Sequence, residues 1–223
     1  NKEAIICGWN LIKKSLKKNN TEFIPVDSEH FSIWYAIKEN DDEIEKIYLT
    51  ASGGPFYKLN IKKFNKIKIK DALNHPNWQM GNKITIDSAT MMNKVFEIIE
   101  AKKIFNIPYK KLSILVHPKS YIHAIVVFKN GMIKIIAHET DMKIPILNSL
   151  NMKYKKEKNS TKLDIKTLNN LSFNSVDVKR YPITKILKKI PERDSMFETL
   201  IVSVNDELVD LFLKKKIEFN DIC

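Results

Sequence analysis

The stretch Lys83-Ile84-Thr85-Ile86-Asp87-Ser88-Ala89-Thr90-Met91-Met92-Asn93-Lys94-Val95-Phe96-Glu97 decides the fold class. Its first part, Ile84–Asp87, reads as a short strand. Ser88 then stands as a helix cap, and residues 89–105 read as the helix it opens. Met91, Met92, Val95, Phe96, Ile98, Ile99 and Ala101 give that helix apolar contacts on more than one side, as in a buried element. A strand feeding a buried helix predicts an α/β domain. On the helix, Asn93 and Glu97 stand at i and i+4 and share a face, with Lys94 on its flank.

Upstream, the apolar run Phe23-Ile24-Pro25-Val26 leads into Asp27-Ser28-Glu29. Taken as the end of a strand over 22–27, this spacing puts both carboxylates on one face. A helix is predicted over 4–19, with Ile5, Trp9, Ile12 and Leu16 in one stripe, and another over 29–38. A strand over 46–50 ends at the turn Ser52-Gly53-Gly54-Pro55. Residues 60–82 read as loop with a short helix around 69–74. Strands follow over 112–117, 121–129 and 132–138, the last two flanking Asn130-Gly131, a strong hairpin signal. Residues 151–162, rich in Lys and Asn, read as a linker. Beyond 178 the pattern is helical over 183–190, 195–204 and 206–216, with Pro191 as a break. No internal repeat is found. The sum is a mixed-sheet α/β domain with helices, then a linker and a helical tail.

At 223 residues and 43% hydrophobic content the chain has material for a core. Its net charge of +12 invites a nucleic-acid partner. The basic residues are scattered, however, as in Lys62-Lys63, Lys110-Lys111 and Lys155-Lys156, without the interleaved aromatics that stack bases. Joint over-use of Lys, Asn and Ile with only 5 Gly reflects A/T-rich coding instead, so no nucleic-acid partner is expected. Cys7 and Cys223 form no metal or redox spacing, which fits a reducing compartment. No apolar stretch reaches the length of a membrane span.

Asp27, Glu29 and Glu97 offer three carboxylates with neither Cys nor His between them. Such a set suits a hard divalent cation, Mg²⁺ or Mn²⁺, rather than zinc. A D-x-E pair alone is more often a solvated loop or an ion pair. The apolar run leading in, and a third carboxylate on a helix bearing Asn93 and Lys94, favour the cation. Ser52 opens a Gly-Gly turn whose free N–H groups can face phosphate oxygens. Ser88, at a predicted helix N-terminus, sits where anions are favoured, and plain capping is its alternative role. Lys94 adds a full positive charge. Trp78, in the polar loop His75-Pro76-Asn77-Trp78, reads either as an exposed indole or as an anchor packed on the core. His117 and His123 are readable equally as site residues or as hydrogen-bonded structural histidines.

These strings, in this order, resemble the 1-deoxy-D-xylulose 5-phosphate reductoisomerase family. The resemblance rests on Asn1-Lys2-Glu3, Pro25-Val26-Asp27-Ser28-Glu29-His30, Ser52-Gly53-Gly54-Pro55-Phe56, and His75-Pro76-Asn77-Trp78-Gln79-Met80-Gly81. It continues through Lys83–Lys94, Ile98-Ile99-Glu100-Ala101, His117-Pro118-Lys119-Ser120-Tyr121-Ile122-His123 and Asp141-Met142-Lys143-Ile144-Pro145-Ile146. After Leu150 it thins to scattered positions such as Arg180-Tyr181-Pro182.

The resemblance implies NADPH-dependent rearrangement and reduction of 1-deoxy-D-xylulose 5-phosphate to 2-C-methyl-D-erythritol 4-phosphate, in non-mevalonate isoprenoid biosynthesis. It implies Asp27, Glu29 and Glu97 as ligands of Mg²⁺ or Mn²⁺. Lys2, Ser28, Glu29, Ser52, His75, Trp78, Ser88, Asn93, Lys94 and Glu97 become substrate contacts, with Lys2, Glu29, His75 and Lys94 catalytic. Asn1, Glu3 and Gly81 become cofactor-lining positions. The family's nucleotide-binding domain, with its glycine-rich fingerprint, is expected ahead of residue 1. The chain is then divided as 1–26 link, 27–150 catalytic domain, 151–177 linker and 178–223 part of a C-terminal helical domain. A homodimer is implied for the intact enzyme, in the cytoplasm of a bacterium or the stroma of a plastid. Without the nucleotide domain the 223 residues are expected not to turn over. Val95 stands where the family usually has glycine, which is expected to bring bulk close to the substrate. A non-catalytic metal- and phosphometabolite-binding remnant is the alternative reading.

Overall fold

The computed structural model describes residues 1–38, 42–150 and 165–223. The expected linker over 151–162 lies outside them. Five strands form one sheet: β1 (Ile44–Ala51), β2 (Leu112–Val116), β3 (Ile122–Phe128), β4 (Ile133–Ala137) and β5 (Asn174–Ser175). The order is β4-β3-β1-β2-β5. β1 runs parallel to β2 and antiparallel to β3, which hairpins into β4 around Asn130-Gly131, so the sheet is mixed as expected. Among the described residues eight α-helices accompany it, with four short 3₁₀ helices besides: α1 (Lys2–Lys18), α2 (Ser28–Ile37), α3 (Ile69–Ala72), α4 (Asn82–Thr90), α5 (Met92–Phe105), α6 (Lys143–Ser149), α7 (Ile165–Asn169) and α8 (Phe197–Leu213).

The core explains why α5 is apolar all round. One side, through Ile98 and Ala101, packs with Ile33 and Ala36 of α2 onto Ile47, Leu49, Ala124 and Val126 of the sheet. The other, through Val95, Phe96 and Ile99, meets Ile6 of α1 and Ile201 and Val202 of α8. α4 sits beside it, burying Ile86 and Ala89 against Phe56, Phe64, Phe212 and Phe219. Burial of this kind contributes roughly 1.5–3 kcal/mol for each large apolar side chain.

Three expectations are corrected. Residues 22–26 form no strand; Asp27 instead caps α2, accepting the Glu29 backbone N–H at 3.3 Å. Asp-Ser-Glu is a helix start, because the short Asp side chain satisfies a first-turn N–H that nothing else reaches. Ile84–Asp87 is not a strand but the middle of α4. Its β-branched residues are held helical by burial between the Phe56 cluster and α8, which outweighs their local preference. The helices expected over 195–204 and 206–216 are one, α8, and Asn205 at the supposed break is buried and donates to Asp87 Oδ1 at 2.8 Å. The 183–190 segment forms a 3₁₀ helix over Pro182–Lys188.

A single residue joins α4 to α5. Met91 has φ +73°, the left-handed region that costs a non-glycine residue about 1 kcal/mol. Its side chain is only 2% exposed, so burial offsets that cost. The joint turns the chain and presents Asn93, Lys94 and Glu97 from the first turns of α5.

Candidate active site

A cavity of about 300 Å³ opens between α2, α5, the end of β1 and the 75–80 loop. At one end, carboxylate oxygens of Asp27, Glu29 and Glu97 lie within 4.8 Å of one another. Asp27 and Glu29 come from the cap and first turn of α2, Glu97 from α5. Two lysines sit among them. Lys2 Nζ lies 3.3 Å from Asp27 Oδ2 and 3.1 Å from Glu97 Oε1, and donates to Asn93 Oδ1 at 2.7 Å. Lys94 Nζ reaches Glu29 Oε1 at 2.6 Å and Glu97 Oε2 at 2.5 Å. Asn93 Nδ2 donates to Glu97 Oε1, and Ser28 Oγ to Glu29 Oε2.

These charges are mostly out of water; the Glu97 side chain is 2% exposed and that of Lys94 6%. Burial alone would lower the pKa of Lys2, but Asp27, Glu97, Glu100 and Glu29 around it raise it well above the ordinary lysine value. Lys94 is raised likewise, against burial, by Glu29 and Glu97. Burial pushes the Asp27 and Glu29 carboxyls up, yet Lys2 and His30 hold Asp27 well below its usual range, and Lys94 holds Glu29 below its own. Glu97 is raised, by burial and by Glu29.

The other end is neutral. Ser52 leads into Gly53 (φ +85°) and Gly54 (φ +63°), and Ser52 Oγ accepts the Gly54 N–H at 3.0 Å. A Cβ on Gly54 would stand 3.0 Å from Ser88 O and 3.1 Å from Ala89 Cα, so only glycine lets this turn seat on α4. From the far side, Tyr181 Oη donates to Gly53 O at 2.6 Å, and Arg180 donates to the carbonyls of Phe56 and Leu59. His75 Nδ1 accepts the backbone N–H groups of Asn77 and Trp78 at 3.2 and 3.0 Å. Its proton is therefore on Nε2, 3.2 Å from Ser52 Oγ. With both Ser52 lone pairs taken, its hydroxyl hydrogen is left for the cavity. Burial, helped by Lys94, pushes His75 down to about 4, so the ring is neutral.

His123 lines the cavity, stacks at 3.8 Å on His138 and meets Trp78 edge-on at 6.3 Å. Its Nε2 faces the His138 carbonyl at 3.1 Å, and burial takes it down to about 4. His117 has the structural role, held at 2.9 Å by the Ser172 carbonyl and stacked on Phe173. Asn77 ties the Trp78 loop to Pro118 O and Ser120 Oγ at 2.9 and 2.8 Å.

Two models of 1-deoxy-D-xylulose 5-phosphate reductoisomerase C-terminal domains match residues 23–105 and 138–223. The chain belongs to this reductoisomerase family. The reductoisomerase of Pelagibacter ubique (strain HTCC1062) is 64% identical over all 223 residues, which correspond to 58% of that protein. That of Clostridium kluyveri (strain ATCC 8527) is 41% identical over the same span, again 58% of its length. A crystal structure of DOX-P reductoisomerase in complex with NADPH, fosmidomycin and magnesium superposes with a TM-score of 0.90 at 33% identity, covering 100% of this chain and 57% of that one. The Zymomonas mobilis reductoisomerase in complex with NADPH gives 0.87 at 35% identity, covering 100% and 57%. The chain thus spans 58% of the length of the curated relatives named here.

All the residues that the reductoisomerase resemblance gives to metal and substrate line the one cavity: Lys2, Asp27, Ser28, Glu29, Ser52, His75, Trp78, Ser88, Asn93, Lys94 and Glu97. The three cofactor positions do not. Asn1 and Glu3 line a shallow depression with Lys83 and Asp206, and Gly81 caps α4. Ser88 needs correction: it lies near the C-terminal end of α4, so no helix dipole favours an anion there. The N-terminus that faces the cavity is that of α5. Val95 is also corrected. It is fully buried among Ile6, Phe96 and Ile99 and does not line the cavity, so its bulk stays away from any substrate. The sequence reading left His123 open between a site role and a structural one, and it lines the cavity; Ser120 and Met142, which line it too, were missed. Both lie in strings that carry the resemblance, Ser120 three residues before His123 and Met142 in Asp141-Met142-Lys143.

Proposed function

We propose that this chain forms the divalent-cation and sugar-phosphate site of a 1-deoxy-D-xylulose 5-phosphate reductoisomerase, which converts that substrate to 2-C-methyl-D-erythritol 4-phosphate with NADPH. The observation that carries the reading is one cavity with a carboxylate–lysine cluster at one end and aligned neutral donors at the other. The donor set fits Mg²⁺ or Mn²⁺: oxygens only, from Asp27, Glu29 and Glu97, close enough to share one ion. Such an ion, when bound, supplies Lewis-acid stabilisation of charge on neighbouring substrate oxygens.

The chain's own groups divide the remaining work. Lys2 and Lys94 pair with the carboxylates; Lys2 spends its three ammonium hydrogens on Asp27, Asn93 and Glu97, whereas Lys94, engaged by Glu29 and Glu97, keeps one for a substrate hydroxyl or phosphate oxygen. Ser52 presents its hydroxyl, aligned by His75, as a donor for the phosphate. Ser88 and Asn93 offer further donors, and Trp78 with Met142 walls the cavity against water. Asn1, Glu3 and Gly81 remain the positions the resemblance gives to NADPH. Val95 packs inward, which removes one of the two grounds for a non-catalytic remnant, the other being the nucleotide-binding domain not found in these 223 residues.

Titration with Mn²⁺ and then with a phosphonate hydroxamate tests the reading. Binding of the hydroxamate only when Mn²⁺ is present supports it; binding of neither overturns it. The five glycines build no glycine-rich phosphate turn between a strand and a helix, so the 223 residues on their own are expected to bind both without oxidising NADPH. Substrate-dependent loss of NADPH absorbance from the pure polypeptide would refute that expectation.

A homodimer through β4 accords with this reading. β4 is an edge strand whose Ile133 and Ile135, with Met132 beside them, are 56%, 51% and 60% exposed. Sedimentation equilibrium with Ile135→Lys tests it, and an unchanged mass would count against it. The relatives named above are bacterial, and a bacterial cytoplasm is the compartment we infer. We retain the division into link, catalytic domain, linker and helical part as a proposal, which limited proteolysis checks.

A further inference from the structure

We propose that the lysine-bearing face of residues 58–70 docks on an anionic lipid surface. None of its lysines lines the cavity, so the role is separate from the site described above.

The segment Lys58-Leu59-Asn60-Ile61-Lys62-Lys63-Phe64-Asn65-Lys66-Ile67-Lys68-Ile69-Lys70 carries six lysines, and the one acidic residue between 51 and 82 is Asp71. Its fold sorts lysines from apolar residues. Ile61–Lys66 is a 3₁₀ helix, in which residues three apart stand in one row. Phe64 and Ile67 share the row turned to the core, where Phe64 meets the Phe56 and Phe219 rings, and Leu59 and Ile69 pack beside them. Lys63 and Lys66 form a second row and Lys62 and Asn65 a third, all exposed, as are Lys58, Lys68 and Lys70. From below, Arg180 donates to the Phe56 and Leu59 carbonyls and stacks its guanidinium over the Phe64 ring. The lysines therefore stand on a held platform.

Their charge is uncompensated. Among the described residues no carboxylate pairs with any of the six, whereas Lys102 meets Glu192, Lys111 and Lys129 meet Glu43, and Lys214 meets Asp210. Asp71 Oδ2 is spent on the Lys68 backbone N–H at 3.1 Å. The adjoining 3₁₀ helix Phe219–Ile222 brings Glu218 and Asp221 against Lys215 and Lys216, an even balance. Lys17 and Lys18, by contrast, have a structural account, in the last turn of α1 where the helix dipole favours cations.

A cluster of this size attracts anionic headgroups, each ammonium near the surface strengthening binding about fivefold. Lipid fits the platform better than nucleic acid. It carries no arginine to read a base or phosphate bidentately. It exposes no aromatic for bases to stack on, Tyr57 being half-buried and Phe64 buried. Ile61, 39% exposed between Asn60 and Lys62, gives it a shallow apolar contact for the headgroup boundary.

The molecule supplies its own control. Lys83 joins Glu3 of α1 to Asp206 of α8, and Asn10 meets Asp194, so the two helices run antiparallel. The last turn of α1 thus lies beyond the start of α8, while Phe64 packs at its other end with Phe212. The 17 residues of α8 hold those ends about 25 Å apart, well past a Debye length of about 8 Å.

Flotation of the whole chain with vesicles of phosphatidylcholine, alone or mixed equally with phosphatidylglycerol, tests the proposal, with unfolding midpoints measured alongside. Binding to the phosphatidylglycerol mixture only, weakening as salt rises, is expected. Lys62→Gln, Lys63→Gln and Lys66→Gln together should weaken it roughly a hundredfold, three steps of about fivefold. Lys14→Gln, Lys17→Gln and Lys18→Gln together remove the same charge from the far end and should weaken it less than about fivefold. Equal losses in the two triples would show attraction to net charge alone and overturn the proposal. So would no binding at low salt, equal binding to pure phosphatidylcholine, or tighter binding to duplex RNA that the first triple abolishes. If that triple does not fold, Lys68→Gln with Lys70→Gln replaces it, with a loss of about 25-fold expected; unchanged affinity there would overturn the proposal too.

Discussion

The two ends of the cavity are built by opposite means. At the carboxylate end, Asp27, Glu29 and Glu97 are already met by Lys2 and Lys94, so a cation entering must displace ammonium groups from their partners. At the serine end the donors are neutral and aligned in advance, Ser52 by His75 and by its own glycine turn. One end binds by exchange, the other by preorganisation. Substitutions should therefore shift cation and phosphate affinity separately, and at the exchange end in opposite directions.

The largest effect is expected from Glu97→Ala. It removes the carboxylate shared by both lysines, leaving buried charge under-compensated at a cost of roughly 3–5 kcal/mol, and Mn²⁺ binding should disappear. Urea unfolding and calorimetric titration check both parts. Retained Mn²⁺ affinity would break the exchange picture.

Lys94→Ala is the sharper probe, because its two consequences differ in sign. Removing a cation that competes at Glu29 and Glu97 should strengthen Mn²⁺ binding. Losing a charge-assisted donor should weaken a phosphate-bearing ligand by about 1.5–3 kcal/mol. If both affinities fall together, the lysine is structural and the comparison fails.

Gly54→Ala addresses the preorganised end. Its φ of +63° and the 3.0 Å approach to Ser88 O allow no Cβ without a shift of backbone. A destabilisation of roughly 1–3 kcal/mol is expected, with phosphate affinity reduced and Mn²⁺ affinity kept. Equal losses of both ligands would show that the two ends are not independent.

The last effect is a slope with pH. Burial depresses His75 and His123 to about 4 in the folded chain, against an ordinary value near 6.5. The unfolded chain thus takes up more protons between those values. Their contribution to stability is fully present above about pH 6.5 and is lost as pH falls toward 4. His123→Phe should flatten part of that slope in urea unfolding at a series of pH values, and an unaltered slope would contradict the assignment.

Much of this was legible in the chain. The hairpin at Asn130-Gly131, the helix Lys2–Lys18 and the apolar surround of α5 follow from local pattern and turn chemistry. The convergence of Glu97 with Asp27 was read from residue type and from resemblance, not from any pattern that fixes distance. What stayed hidden depends on tertiary contact. Ile84-Thr85-Ile86 has the composition of a strand and is helical because of what buries it. Met91 breaks a helix with no glycine or proline to announce it. The helical pattern was divided at Asn205, whereas the helix runs through it and its side chain, buried, donates to Asp87.

The placement of β1 has a consequence for how the chain comes to be folded. β1 lies between β2 and β3, and its register pairs Ile47 with Leu112 on one side and Val126 on the other. Both partners come far later in the chain, while β3 and β4 close on each other through a tight turn. Long loops carry an entropic cost before their contacts repay it, so the β3–β4 hairpin should order early and β1 last. During synthesis, the carboxylates and lysines between Lys2 and Glu97 would all leave the ribosome before the sheet that holds α2 and α5 together can exist. The acidic cluster then spends that interval as an unstructured, solvated segment. It becomes a site only when β3 arrives to close the central strand.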